Sequence, residues 1–112
     1  MEPTTQKPFR KTAREFMRRM IKRRKMMIRL DVSKKNLLSV GKDLEYLDLH
    51  LNHYKYHKDL DMALFVVTNQ ERIRNIIPAL HKSAFEEFTE IIRTAKQIRE
   101  ENKCKSFSIP SR

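Results

Sequence analysis

The first segment with a regular apolar pattern runs from Thr12 to about Arg29. It opens with the tetrapeptide TARE, and a threonine followed three residues later by glutamate is typical of a capping box at a helix start. Apolar residues then recur at intervals of three and four, which places them on one helix face. Arg24 is the basic residue that falls within this face. The apolar positions are Ala13, Phe16, Met17, Met20, Met27 and Ile28.

A second apolar stripe follows a short turn around Leu30–Ser33. Asp31 and Ser33 are both common residue types at the start of a helix. The stripe advances by steps of three and four, the pattern of a helix that packs on a core. Gly41 lies inside it, where glycine weakens a helix by up to about 1 kcal/mol relative to alanine. We therefore expect a close helix crossing at Gly41. The stripe consists of Leu37, Val40, Leu44, Leu47 and Leu51.

The middle of the chain predicts shorter elements. The sequence HLNHYKYHKDL is ambiguous, because it is rich in aromatic residues and histidines and contains no helix breaker. Beyond it, Leu60, Leu64 and Val67 resume a helical spacing. TNQE, which begins at Thr68, is a second candidate capping box and places a helix boundary there. Pro78 lacks an N–H and disfavours helical backbone in the preceding residue, so we expect a kink or a new first turn.

A long amphipathic helix is predicted from Ala79 to about Glu101. Residues 102–112 are polar and predict a disordered tail, and residues 1–11, with two prolines, predict a flexible arm. The fold class is therefore all-α: a compact bundle of four to five helices that forms one interaction domain over residues 12–101. The apolar positions of the last helix are Leu80, Ala84, Phe88, Ile91, Ala95 and Ile98.

Composition favours the same fold class. The chain contains one glycine, and hairpin turns need the positive φ angles that glycine adopts readily. No apolar run of about 18 residues is present, so no transmembrane helix is expected. The first thirty residues lack the uncharged segment of a secretory signal. Because the single cysteine, Cys104, cannot form an internal disulfide, a reducing compartment is the simpler assumption.

The net charge of +11 is concentrated in the first third of the chain. Thirteen Lys or Arg face two acids, Glu15 and Asp31, between Lys7 and Lys35, whereas Asn36–Arg112 is nearly neutral. Such a patch attracts polyanions. Phosphate contacts through it would be salt-sensitive and weak in sequence preference, and no aromatic interleaving supports base stacking. The candidate phosphate contacts are Arg18, Arg19, Lys22, Arg23 and Lys25.

The same basic segment, Phe16–Leu30, has other interpretations. KRRK, which begins at Lys22, fits a short nuclear-localisation pattern. Met17, Ile21 and Met26 have the spacing by which a basic helix enters a calmodulin-like groove. The structural alternative is an amphipathic helix whose apolar face joins the core while its charges face water. We favour this alternative, which does not exclude phosphate contact on the outer face.

Candidate chemistry is sparse. His50, His53 and His57 would share one face of a straight helix, with Asp61 four residues further on, and imidazoles at that spacing can bind zinc or copper. A solvated polar flank is the favoured interpretation, because a triad on one helix lacks the supporting hydrogen bonds of known sites. Cys104 has no positioned base. We expect neither an enzyme nor a bound metal or cofactor.

The order of these elements resembles the TFIIS N-terminal-domain family of helical bundles. It is most similar to the integrase-binding domain of the lens epithelium-derived growth factor type. The segment LDVSKKNLLSVGKDLEYLDLHLNHYKYHKDLDMALFVV carries the likeness, which extends over roughly Glu15 to Ile98. Leu44 and Leu47 match the paired leucines of the family's second helix. Further matches are Leu49, Leu51, His57, Leu60, Leu64 and Val67, together with the region 84–98.

The resemblance implies that the chain binds short disordered segments of transcription and chromatin proteins through loops between helices. Leu30 and Asp31 would supply an apolar and an acidic anchor between the first two helices. Phe65, Val66 and Val67 would supply a second apolar contact before the last helix.

We therefore expect a monomeric, non-enzymatic interaction domain in the nucleus that binds disordered peptide motifs. Its basic first helix would be able to contact DNA or RNA, and no membrane association is expected. One alternative is a basic nucleic-acid or ribonucleoprotein component without a peptide pocket. Another is a calmodulin target helix at residues 16–30. A pocket near Leu30–Asp31, flanked by Phe65–Val67, distinguishes the first hypothesis from a flat basic face.

Overall fold

The computed structural model describes residues 7–28, 34–79 and 81–108. Over these residues the chain is an all-α bundle of five helices without strands. In chain order they are α1 (Phe9–Ile28), α2 (Lys34–His53), α3 (Asp59–Thr68), α4 (Gln70–Ile76) and α5 (Lys82–Ser108). The fold class predicted from the sequence is confirmed.

The basic helix α1 packs against each of the other four helices through its apolar face. It runs antiparallel to α2, because Lys25 contacts Asp48 near the end of α1 and Arg14 contacts Tyr54 near its start. α3 packs mainly on α5, and α4 packs on α2. The predicted structural role of the apolar face of α1 therefore holds.

The core is built mainly from the predicted apolar stripes. Four positions of α1, three of α2 and four of α5 are buried as the spacing predicted, and Val40 and Ile98 are half-buried. The side chains of Met27, Ile28, Leu37 and Leu80 lie outside the described part. The buried positions are Ala13, Phe16, Met17, Met20, Leu44, Leu47, Leu51, Ala84, Phe88, Ile91 and Ala95.

The predicted capping box at the start of α1 is wrong. The helix begins at Phe9, and the Pro8 carbonyl accepts hydrogen bonds from the backbone N–H groups of Lys11 and Thr12. Proline is well suited to this end of a helix because its fixed φ is already helical. Glu15 instead accepts a hydrogen bond from the Lys7 ammonium at 2.9 Å.

The predicted apolar face of α3 is also wrong. Met62, Ala63 and Val66 are buried, whereas Leu64 is 44% exposed. α3 packs against both α1 and α5. The face that meets those two helices is the one that carries Met62 and Val66. Leu60 and Val67 are half-buried at its margins.

α4 ends at Ile76, and Ile77 is extended before Pro78, as the proline predicted. α5 begins at Lys82, later than predicted, and continues to Ser108, beyond the predicted end near Glu101. Among the described residues, no helix crosses close to Gly41, because a methyl group added there would meet none of their heavy atoms within 4 Å. The expected close crossing is wrong.

Candidate functional site

A polar cleft of about 500 Å³ lies between α2 and the junction of α3 with α4. Eight of its nine lining residues are polar, and Val67 is the apolar one. The rim residues Ser39, Thr68 and Glu71 are exposed. The cleft is lined by Ser39, Asp43, Val67, Thr68, Asn69, Gln70, Glu71, Arg72 and Asn75.

The helix junction that forms one wall is held by Asn69. This residue lies between the end of α3 and the start of α4 and is 3% exposed. Its side-chain amide donates to the Phe65 carbonyl at 2.9 Å, and its side-chain oxygen accepts from Arg72 at 2.8 Å. The TNQE segment was predicted to start a helix with a capping box. The boundary near Thr68 is confirmed. The capping box is wrong, because Thr68 is the last residue of α3, and Asn69, which precedes α4, makes no side-chain cap hydrogen bond.

The opposite wall is formed by α2 and is tied to α4 through Asp43. One Asp43 oxygen accepts from the Asn75 amide at 3.2 Å, and the other lies 3.8 Å from Nε of Arg72. The Arg72 guanidinium also lies over the Tyr46 ring, 4.0 Å from its centroid, in cation–π geometry. Both walls are thus connected by polar contacts within the domain, so the cleft is formed before any partner binds.

The five residues predicted to contact a peptide lie in different places. Val67 lines the cleft. Val66 is completely buried in the core and is unable to contact a partner, so its prediction as a site residue is wrong. Phe65 is half-buried inside α3, and its ring packs against Tyr56, with centroids 5.3 Å apart. These residues belong to α3 and not to a loop. Leu30 and Asp31 lie outside the described residues.

The predicted phosphate contacts lie in three kinds of environment. Arg19 forms an ion pair with Glu87 of α5, and Lys25 forms one with Asp48 of α2 at 2.9 Å. Arg18 and Arg23 contact no carboxylate among the described residues: Arg18 donates to the Asn52 side-chain oxygen at 3.3 Å, and Arg23 lies 3.4 Å from Nδ1 of His81. Lys22 is exposed on the outer side of α1. Carboxylates therefore neutralise part of the predicted patch.

The three anchors proposed for a calmodulin-like groove lie in different environments. Met17 is 1% exposed and Ile21 is 5% exposed, whereas Met26 is 57% exposed. A groove that binds all three side chains would have to extract α1 from the bundle. That step would expose most of the core, so the folded domain disfavours this alternative.

Arg24 shows how a cation is accommodated within an apolar helix face. Its Nη2 donates to the Asn75 carbonyl at 2.9 Å, and Asn75 lies in the last turn of α4. Carbonyls in that turn lack partners within the helix and carry the negative end of its dipole. Arg24 therefore caps α4 from outside. Its Nε is buried without a hydrogen-bond partner among the described residues.

The histidines do not assemble into a shared helix face. His50 and His53 belong to α2, which ends at His53, and His57 lies in the following loop. His50 donates from Nδ1 to the Tyr46 carbonyl at 3.0 Å, and its ring stacks on Tyr46 with centroids 4.1 Å apart. Within the described residues, no cluster of three or more side chains is arranged to bind a metal ion.

Sequence analysis missed an aromatic cluster that bridges α2 and α3. His50 lies between the rings of Tyr46, Tyr54 and Phe65, at centroid distances of 4.1, 5.3 and 6.1 Å. Burial raises the pKa of the Tyr56 hydroxyl in the same cluster. Part of the signal lies in the segment HLNHYKYHKDL, which supplies His50, Tyr54 and Tyr56. Tyr46 and Phe65 come from α2 and α3 and join these rings because the chain turns after His53.

Within the described residues, no helix combines the length and the apolar character needed to cross a membrane. No protein-family model, curated protein or solved structure gives a significant match to this chain.

Proposed function

We propose that the chain is a non-enzymatic interaction domain of the nucleus that binds short, disordered motifs of transcription and chromatin proteins. The polar cleft between α2 and the α3–α4 junction is the observation that carries the proposal. The cleft is concave and rich in hydrogen-bonding groups. A flat basic face at this place would instead have favoured the alternative, a nucleic-acid-binding protein without a peptide pocket. The cleft also contains Val67, one of the residues that the family resemblance assigns to partner contact.

The chemistry of the cleft suits a peptide in an extended or turn conformation. A disordered segment brings backbone N–H and C=O groups that lose water when they bind, and each needs a partner. The rim offers the hydroxyls of Ser39 and Thr68 and the carboxylate of Glu71. Because the walls are fixed by the contacts of Asn69 and Asp43, little ordering of the domain is required, which favours binding.

The basic helix gives this domain a second contact. α1 carries several cations that form no ion pair among the described residues, such as Arg18 and Lys22, and these retain their attraction for phosphate. We propose that the outer face of α1 contacts nucleic acid while the cleft holds a peptide on another side of the bundle. The two contacts differ in their salt dependence, because counterion release affects phosphate contacts and has little effect on apolar or neutral hydrogen-bonded contacts.

The peptide site is tested by blocking the cleft. Peptides are first selected with the parent domain from a display library of disordered nuclear segments, and their affinities are then measured for Ser39→Arg. This exposed rim position accepts a longer side chain that would occupy the cleft. We expect at least about a tenfold loss of affinity, equivalent to about 1.4 kcal/mol.

Ser83→Arg is the matched control, because Ser83 is also an exposed serine of a helix but lies in α5, away from the cleft. It should bind the selected peptides like the parent. Equal affinities for the parent and Ser39→Arg would remove the cleft as the binding site. Failure to select any peptide would favour the alternative without a pocket.

A further inference from the structure

One side of α1 holds cations that carboxylates do not neutralise. Lys11, Arg14, Arg18 and Lys22 recur at steps of three and four and therefore form a stripe along the helix. An ion pair lies at each end of this stripe: Arg10 pairs with Asp59 at 3.2 Å, and Lys25 pairs with Asp48 at 2.9 Å. Between them, Arg14 and Arg18 meet neutral groups among the described residues: Arg14 contacts the Tyr54 carbonyl and lies 5.8 Å from the centroid of the Tyr56 ring, and Arg18 contacts the Asn52 side chain.

The fold brings an exposed aromatic residue to this stripe. Nη2 of Arg14 donates to the Tyr54 carbonyl at 3.4 Å, across 40 residues of sequence, and the Tyr54 side chain is 57% exposed. The Tyr54 ring also rests against His50, with centroids 5.3 Å apart, so its position is supported from the protein side. Lys55 and Lys58, which follow in the same loop, are both exposed and add positive charge.

Glu15, an acid of α1 itself, also lies beside the stripe, and Lys7 compensates its charge. Glu15 accepts a hydrogen bond from Lys7 at 2.9 Å, and this contact, together with the charge of Lys7, lowers the pKa of the Glu15 carboxyl. The pair is neutral overall and leaves the neighbouring cations in excess. We name the group formed by Lys11, Arg14, Arg18, Lys22 and Tyr54 the α1–Tyr54 surface.

We propose that the α1–Tyr54 surface binds single-stranded nucleic acid, with phosphates along Arg14, Arg18 and Lys22 and an unpaired base stacked on Tyr54. Single-strand binders combine a cationic track with aromatic rings in this manner, and each stacked base contributes substantially to affinity. A duplex keeps its base faces inside the helix, so it can use the cations but not the ring. The inference rests on the proposed contact of α1 with nucleic acid and is independent of the peptide cleft.

The α1–Tyr54 surface contains only some of the cations that the sequence predicted to contact phosphate. Arg19 and Lys25 are engaged by Glu87 and Asp48. A phosphate would have to compete with a carboxylate for each of them. Arg18 gives up only a contact with the neutral Asn52 amide, so it should contribute more to binding than Lys25.

The test is fluorescence anisotropy of the full chain with labelled oligothymidine and oligouridine of about 12 nucleotides, within the range of known single-strand site sizes. A duplex of the same length is measured in parallel at several salt concentrations. The single strands should bind more tightly than the duplex. Tyr54→Ala should weaken single-strand binding by about fivefold or more, and Tyr54→Phe, which keeps the ring, should bind like the parent.

Charge variants separate the stripe from the paired cations. Arg18→Gln should make the slope of log affinity against log salt shallower by about 0.7, the value for one phosphate contact on a single strand. Lys25→Gln is the matched control and should change that slope less. Thermal melts of each variant establish that the domain remains folded, since Arg14 and Arg18 also contact α2 and the following loop.

Three results would overturn the inference, and they bear differently on the proposed function. Equal affinity for duplex and single strand, with no effect of Tyr54→Ala, would leave a general contact between α1 and nucleic acid but exclude stacking. Absence of oligonucleotide binding at low salt would remove the nucleic-acid contact and leave the peptide cleft to its own test. Equal competition by polyglutamate or by phosphatidylserine vesicles would show that the surface recognises charge alone.

Discussion

Replacing Gly41 by alanine should stabilise the domain, although glycine in a core-facing stripe suggests a close packing contact. Gly41 is half-buried within α2, and a methyl group at its Cα would meet no heavy atom within 4 Å. Its φ is not positive, so alanine adopts the same backbone without strain. The substitution therefore removes the conformational freedom of glycine from the unfolded chain without creating a clash. Alanine is favoured over glycine inside a helix by about 0.8–1.0 kcal/mol.

This gain is large for a small domain. For domains of about 60–100 residues, 1 kcal/mol shifts the melting temperature by about 4–8 °C, so Gly41→Ala should raise it by a similar amount. Thermal unfolding followed by circular dichroism at 222 nm measures the effect. Lys42→Ala, at the adjacent exposed position, should give a smaller change because lysine is already a good helix former. A lower melting temperature for Gly41→Ala would refute the reasoning, since it would mean that another element approaches α2 at this position.

Three further substitutions test other parts of the structure. Leu44→Ala should cost about 2–5 kcal/mol because Leu44 is buried in the core, and a melt within about a degree of the parent would contradict that assignment. For Arg24→Met, the free energy of unfolding measured in urea should stay within about 1.5 kcal/mol of the parent value. The variant loses the hydrogen bond to the Asn75 carbonyl but also removes the buried Nε that has no partner among the described residues. A larger loss of stability would show that the guanidinium is essential. Lys7→Gln should raise the pKa of Glu15 in an NMR titration. Because folding lowers the pKa of Glu15, its carboxylate stabilises the domain above the unfolded-state pKa, and this contribution is lost as the pH falls through the folded-state pKa. Identical Glu15 titrations of the parent and Lys7→Gln would refute the Lys7–Glu15 ion pair.

Sequence periodicity predicted those helix faces whose apolar and polar positions alternate clearly. The stripe through Leu44 and Leu47 contains polar residues between its members, so only one face of α2 fits the core. α3 lacks this contrast, because Met62 to Val67 is an unbroken apolar run. Periodicity is unable to choose a face in such a run, and the choice depends on how α3 meets α1 and α5. The start of α1 differs from the prediction for another reason. The TARE segment predicted a start at Thr12, but the Pro8 carbonyl accepts the first hydrogen bonds of the helix, so the helix begins about one turn earlier.

The candidate surfaces depend on contacts between residues far apart in the chain. Sequence identified the cations of α1 but gave no indication which of them are neutralised. Arg19 pairs with Glu87, which lies 68 residues away in the sequence, and Arg14 contacts Tyr54, which lies 40 residues away. The cleft likewise depends on contacts between distant residues, because one wall is formed by α2 and the other by the junction of α3 with α4. Val67 could be named as an apolar candidate, whereas the role of Asn69 in fixing the helix junction follows only from its burial and hydrogen bonds.

The most direct measurement of the central claim is a chemical-shift map of the ¹⁵N-labelled domain with a peptide that it selects from nuclear disordered segments. If the cleft is the binding site, the largest amide shifts will occur at Ser39, Asp43 and the segment 67–72, and they will persist at high salt because the contacts are not mainly ionic. Ser39→Arg should abolish these shifts. Shifts concentrated instead at Arg18 and Lys22 of α1, and lost at high salt, would contradict the account and indicate a domain that binds polyanions without a peptide site.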